Sequence, residues 1–214
     1  MTAWGLRIKF RQPLRICITN RKSDSFLIEF SYRICPSPTQ ILLLNFTCSI
    51  LFQFQRVIFR DLKPQNIGLD KHNNAKIFDF GLSKELCDER KLRSDYNEYD
   101  KYIATQCAGT PRYMAPEVYN GIIYGLPVDI YSCSLVLWEL MSLDESFSFA
   151  NSLDDLASQV YQNKRRPNIN RNWPKEIKKL LKSGWHHSPS KRPEAMEFSD
   201  QLQICLRRRL LPPL

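Results

Sequence analysis

The sequence predicts an α+β, mainly helical domain, and three observations carry that reading. Four segments in the last ninety residues place apolar side chains at three- and four-residue spacing. Two short apolar runs near the middle are separated by a polar turn. At 214 residues the chain is long enough to bury a core.

Taken in order, residues 1–36 alternate short apolar patches, Ile16-Cys17-Ile18 and Phe26-Leu27-Ile28, with basic residues, and are expected to form an irregular basic segment. Pro36-Ser37-Pro38 closes it. Ser37 or Thr39 can cap a helix that runs to about Phe54, with Pro38 accepted in the first turn. Asn66–Leu69 and Ala75–Phe78 then read as the arms of a β hairpin joined by Asp70-Lys71-His72-Asn73-Asn74. Between Lys84 and Gln106 the residues are polar, charged and rich in tyrosine, which predicts a long mobile loop. Pro127 opens an apolar helix to about Ser142. One-sided stripes follow at Leu153, Leu156, Ala157, Val160 and Tyr161, at Ile177, Leu180, Leu181 and Trp185, and at Ala195, Phe198, Leu202 and Cys205. All are assigned to the core.

Composition narrows the class. Hydrophobic residues make up 43% and charged residues 25%, as in folded rather than disordered chains. The net charge is +9. Residues 1–36 hold seven Lys or Arg against two acids, and Arg207–Arg209 add a further cluster. No nucleic-acid-binding motif accompanies the charge, so it reads as a solvated surface and no nucleic-acid partner is expected. Seven scattered cysteines form no CxxC pair and no zinc-ligand spacing, which points to free thiols in a reducing compartment. The most apolar run, Ile41–Phe54, is shorter than the roughly 20 residues that span a bilayer, and no membrane partner is expected. An intracellular, cytoplasmic protein fits these features.

The chemistry centres on Arg60-Asp61-Leu62-Lys63-Pro64-Gln65-Asn66, with Asp79-Phe80-Gly81 thirteen residues beyond Asn66. A hairpin between the two returns Asp79 toward Asn66 and Asp61. A carboxylate and an amide oxygen converging there suit Mg2+, which takes hard oxygen ligands and shares them with phosphates. Asp61 is then available as a proton acceptor for an incoming hydroxyl. Lys63 can neutralise charge on a transferring phosphoryl group.

That order and spacing resembles the catalytic loop and metal-binding element of the protein kinase family. The likeness continues through Gly109-Thr110-Pro111-Arg112-Tyr113-Met114-Ala115-Pro116-Glu117, through Asp129 at the head of an apolar helix, and through Lys191-Arg192-Pro193. It covers about four fifths of the chain. It implies a kinase-like C-terminal lobe over residues 37–210, a helical bundle with a small hairpin at the catalytic loop. ATP, Mg2+ and a protein substrate with a Ser or Thr acceptor come with it. By the same resemblance Asp61 is the base and Lys63 serves catalysis and nucleotide phosphate. Asn66 and Asp79 hold the metal, and Arg192 pairs with Glu117. Arg60, Thr105 and Thr110 are regulatory candidates: a phosphate on the loop, at Thr105 first, would pair with Arg60, while Thr110 bonds the catalytic Asp and Lys. Lys63 two residues after Asp61, with Gly109-Thr110 downstream, is the serine/threonine pattern. Asp129-Ile130-Tyr131-Ser132 with Trp138-Glu139 is similar to the tyrosine-kinase-like branch.

Four departures stand out. Phe59 replaces the usual His before Arg60, and is expected to pack beneath Phe80. Gly68 replaces the apolar side chain that lies under adenine, which thins the nucleotide floor. Ser134 replaces a Gly of the central helix. Upstream, a kinase small lobe needs about 60 residues at ordinary strand, helix and loop lengths, whereas 36 precede the helix over 38–54 and contain no GxGxxG. Arg7-Ile8-Lys9 and Glu29 are too close to Asp61 to be its strand lysine and ion-pair partner. The expectation is an incomplete kinase chain with its catalytic residues retained, weakly active by itself. The alternative is a non-catalytic lobe that presents its helical surface to a protein partner. Upstream coding sequence for a glycine loop and a Val-Ala-x-Lys strand would favour the first.

Overall fold

A computed structural model describes residues 16–19, 27–30, 56–69, 75–86, 91–92, 101–103, 105–121 and 123–207. The helix expected over 38–54 lies outside the described residues.

The segment read as irregular holds a hairpin. Strand β1 (Ile16–Thr19) pairs antiparallel with β2 (Leu27–Phe30), with Ile16 opposite Phe30. The apolar patches that stood out in the sequence are the ones that pair, as β-branched and aromatic residues favour strands.

Two small ladders frame the loop of residues 60–66. Strand β3 (Val57–Ile58) pairs with β6 (Lys84–Glu85), and β4 (Ile67–Leu69) pairs with β5 (Ala75–Ile77). The second is the expected hairpin, one residue shorter at one end of each arm. The stretch from Lys84 to Gln106, read as a loop, also contains β7 (Lys91–Leu92) and β8 (Lys101–Ile103). With β9 (Ile123–Tyr124) they form a three-stranded antiparallel sheet in the order β7-β8-β9. Such pairing across a separation of some twenty residues has no short-range sequence signal, because each strand is only two or three residues long.

The helices fall where the periodicity places them. Short α1 (Pro116–Asn120) has Pro at its first position, where the missing N–H costs nothing. Helix α2 (Pro127–Ser142) is buried at twelve of sixteen positions and so is enclosed on every side, the axis of the domain. It ends at Leu143, whose left-handed φ of 57° lets its N–H return to the Glu139 carbonyl. Helix α3 (Leu153–Leu156), capped by the Ser152 side chain, widens into a π-helical stretch, Ala157–Gln162. Helix α4 (Lys175–Gly184) buries Ile177, Leu180 and Leu181, and α5 (Ala195–Arg207) buries Phe198 and Leu202; all five are fully buried.

At the junction of α2, α4 and α5 the helices approach closely. A Cβ at Gly184 would collide with the Ser134 hydroxyl and the Phe198 ring. Ser134, the replacement for glycine in the central helix, is accommodated because Gly184 yields the space and the hydroxyl donates to the Ile130 carbonyl at 2.7 Å.

Candidate active site

The loop that carries Asp61 is anchored from below by Asp129. This carboxylate, in the first turn of α2, accepts the backbone N–H of Phe59 at 2.8 Å and of Arg60 at 2.9 Å. It is almost wholly buried. Burial pushes its carboxyl up to about 6, against the pull of those two N–H groups. Phe59 meets Phe80 edge-on with ring centroids 5.3 Å apart, as the substitution for His was expected to do. This loop and the Asp79-Phe80-Gly81 turn thus share one aromatic contact.

Arg60 adopts a left-handed φ of 70°, uncommon for a non-glycine residue. Its Nε donates to the Leu82 carbonyl at 2.6 Å and its Nη1 to the Tyr124 hydroxyl at 3.1 Å. Tyr124, fully buried on β9, donates in turn to the Thr105 carbonyl at 2.5 Å. Arg60 and Thr105, two of the regulatory candidates, are therefore connected through a residue that the sequence did not single out.

Asp61 is the hub. Oδ1 accepts from the Thr110 N–H at 2.9 Å and the Thr110 hydroxyl at 2.6 Å. Oδ2 accepts from Lys63 Nζ at 2.8 Å and Asn66 Nδ2 at 3.1 Å. Lys63 also donates to Thr110 Oγ1 at 2.7 Å, closing a triangle of Asp61, Lys63 and Thr110. Burial raises the Asp61 pKa, but the hydrogen bonds from Lys63 and Thr110 outweigh it and hold the carboxyl below its ordinary value. Gly109, beside Thr110, has φ +119°, and a Cβ there would collide with the Arg60 carbonyl. Only glycine allows the strand of backbone carrying Thr110 to approach this closely.

Asn66 is buried at the end of a 3-10 turn, Pro64–Asn66, with its Nδ2 also donating to the Asp61 carbonyl at 2.9 Å. Its own carbonyl accepts the Phe78 N–H at 2.8 Å. The β4–β5 register therefore sets Asn66 opposite Phe78, and Asp79 is the next residue. Asp79 is exposed, with φ 59°, and accepts the Gly81 N–H at 3.2 Å. An amide oxygen and an exposed carboxylate at one hairpin end fit a hard cation that takes its remaining ligands from phosphates and water.

The floor thinned at Gly68 has another occupant. A Cβ at Gly68 would lie 2.6 Å from Cε2 of Phe78, so the Phe78 ring takes the space that a side chain at 68 would fill. Phe78 remains 44% exposed and can present that ring to a ligand.

The segment after the loop is tied to the helices. Ser132 donates to the Tyr113 carbonyl at 2.8 Å and Tyr161 to the Pro111 carbonyl at 2.6 Å. Arg192 grips Glu117 with two bonds, Nη1–Oε1 at 2.6 Å and Nη2–Oε2 at 2.8 Å. It also donates to the carbonyls of Pro127 and His186. The expected Glu117–Arg192 pair is therefore present, with the Arg side chain fully buried.

The protein kinase domain profile matches residues 48–202. The chain belongs to the protein kinase family. One similar protein, named a probable serine/threonine-protein kinase of Dictyostelium discoideum, is 38% identical over 145 residues, 68% of this chain and 8% of that protein. The dual specificity protein kinase shkB of the same organism is 37% identical over 146 residues, 68% of this chain and 21% of its own length. Serine/threonine-protein kinase 12 of Arabidopsis thaliana is 33% identical over 153 residues, 70% of this chain and 31% of its own. The chain thus spans less than a third of each of these relatives. Among the described residues no helix is long and apolar enough to cross a membrane.

Proposed function

We propose that residues 37–210 form the catalytic lobe of a serine/threonine protein kinase, which transfers the γ-phosphoryl group of ATP to a protein Ser or Thr hydroxyl. The observation that carries this reading is the closed triangle of Asp61, Lys63 and Thr110, held in place by Asn66 and by the buried Asp129.

In this reading the substrate hydroxyl approaches Asp61. Its oxygen attacks the γ-phosphorus, the bond to the bridging oxygen of ADP breaks, and the hydroxyl proton passes to Asp61. A carboxylate offers about four lone-pair sites, and the four donors above already use that number. An incoming hydroxyl must therefore displace one donor. Lys63 is the one that can move, since its ammonium also suits the phosphoryl oxygens. Shifting toward the phosphate, it opens Oδ2 to the hydroxyl. Against burial, the bonds from Lys63 and Thr110 lower the Asp61 pKa and keep it ionised before the hydroxyl arrives; as Lys63 moves to the phosphate its share of that lowering is lost, and Asp61 becomes the better proton acceptor. Asn66 and Asp79 would hold Mg2+, which when bound neutralises charge on the phosphates. Phe78, in place of a side chain at Gly68, would floor the adenine. Arg60 would receive a phosphate placed on Thr105, in exchange for its present bond to Tyr124. A compartment that supplies ATP and keeps thiols reduced, the cytoplasm, suits such an enzyme.

The experiment is a radiolabelled-ATP assay with phosphoamino-acid analysis. It uses the 214-residue chain and the same chain joined, ahead of Pro38, to a complete kinase small lobe, because residues 1–36 contain no glycine-rich phosphate loop. Phosphoserine or phosphothreonine from the joined protein, with little from the chain by itself, is expected. Exclusive phosphotyrosine, or no transfer from the joined protein, would overturn the assignment.

A further inference from the structure

The outer face of α4 faces none of the chemistry described above, yet it concentrates the charge of the molecule. Residues 171–192 contain seven lysines and arginines against a single acid, Glu176, and so hold a net +6 of the chain's +9. Four of those lysines, Lys175, Lys178, Lys179 and Lys182, recur at three- and four-residue spacing along α4, opposite the stripe of Ile177, Leu180 and Leu181 that enters the core. Like charges at this spacing repel one another on a helix, and Lys175 stands at the helix end where a cation is least favoured. Helix stability alone would not select this pattern.

These lysines line one open cavity of about 530 Å³, together with Ser183, His186 and Lys191. Every ionisable group in the lining is a donor. Lys178 Nζ is steered by a bond to the Arg171 carbonyl at 2.8 Å. Nδ1 of His186 is held by the Ser188 backbone, 3.0 Å from its N–H and 3.2 Å from its carbonyl oxygen, which fixes the ring beside the lysines. Ser183 donates to the Leu180 carbonyl, so its oxygen keeps acceptor capacity only for a donor. No carboxylate belongs to the lining to balance five ammonium groups.

We infer that this cavity binds a compact soluble anion carrying several phosphate groups. Lysine ammoniums act as point charges that fit clustered phosphate oxygens without the planar geometry that arginine imposes. The volume falls in the range of small-ligand sites. His186 is the one aromatic ring of the lining, too little to stack a run of nucleobases, and the apolar surface there is lysine methylene with no Leu, Ile, Val or Met to anchor a peptide, which separates it from single-stranded nucleic acid and protein docking sites.

The test is calorimetric titration of the full chain with inositol hexakisphosphate and with tripolyphosphate. Parallel arms use vesicles containing phosphatidylinositol bisphosphate and a single-stranded RNA. Lys175, Lys179 and Lys182 are exposed, so their replacement leaves the core intact. The triple variant Lys175→Gln, Lys179→Gln, Lys182→Gln should weaken binding of both soluble probes at least tenfold. The corresponding triple Lys→Arg variant should keep affinity within about threefold, because the charge is retained. Equal binding by the Gln variant would place the anion elsewhere, such as the catalytic site, and would overturn the inference. So would absence of binding by the unaltered chain, or binding confined to vesicles or to RNA.

Discussion

Arg60 Nη1 donates to the hydroxyl of Tyr124 at 3.1 Å, across 64 residues of sequence. The same hydroxyl donates to the Thr105 carbonyl, so one buried tyrosine fastens the end of the loop that carries Thr105 to the residue beside Asp61. This fastening needs no phosphate. We predict that Tyr124→Phe, which keeps the buried ring and removes only the hydroxyl, destabilises the fold by about 1 kcal/mol. It should also speed tryptic cleavage at Lys101. Urea denaturation and limited proteolysis read both effects, and an unchanged cleavage rate would remove the tether from the account.

Thr105 is exposed, and its carbonyl already lies within one hydroxyl of Arg60. A phosphate there can replace the Tyr124 hydroxyl, a neutral acceptor, with an anionic one that the Arg60 guanidinium can grip through two bonds. We predict that mass spectrometry of protein from its native cells finds phosphate on Thr105, and that Arg60→Gln abolishes the gain in activity it brings. A loop without phosphate under every growth condition would contradict this. Of the other hydroxyl residues of the loop, Ser94, Tyr96 and Tyr99 lie outside the described residues, and Tyr102 is buried on β8.

Much of the site was legible because its chemistry is local in sequence. Asp61, Lys63 and Asn66 lie within six residues, and a hairpin of predictable register brings Asp79 back beside Asn66. The helices were legible because each buries a stripe at helical spacing. What could not be read depends on distant partners. Tyr124 has meaning only once β9 is laid against β8. Phe78 occupies the space over Gly68 only because Asn66 faces Phe78 across the hairpin. The basic face of α4 carries a sequence signal, seven positive residues against one acid over residues 171–192, but the apolar stripe on the same helix is the stronger pattern.

The bidentate Arg192–Glu117 pair closes the segment that carries Thr110 against the helices. The Arg side chain is fully buried and Glu117 nearly so. Removing one member leaves the other charge uncompensated, at a cost of roughly 3–5 kcal/mol. Arg192→Ala is therefore predicted to give insoluble protein or a large fall in urea midpoint. A midpoint equal to that of the unaltered chain would show that the pair does not hold the fold.

Asp129 makes stability depend on pH. Its carboxyl, raised by burial from 3.8 to about 6, binds its proton more tightly in the folded than in the unfolded chain. Its contribution is thus complete below about pH 4 and is lost as pH rises through 6. At about 1.4 kcal/mol per unit, the loss approaches 3 kcal/mol. Asp61, whose pKa is lowered, titrates below this window and acts in the opposite sense. Asp129→Asn does not titrate. We predict that the stability of the unaltered chain relative to Asp129→Asn falls by that order between pH 4 and 7 in urea titrations, and a difference flat with pH would contradict it.

The central claim is that Asp61 is the proton acceptor at the hub of the site. The most direct measurement is single-turnover phosphoryl transfer by the chain joined to a small lobe, compared with the same protein carrying Asp61→Asn. Asparagine keeps the size of the side chain and loses the charge and basicity that Lys63 and Thr110 hold in place. The account predicts a transfer rate lowered by about 10²–10⁴ with ATP affinity little changed. A transfer rate unaltered by Asp61→Asn would contradict it.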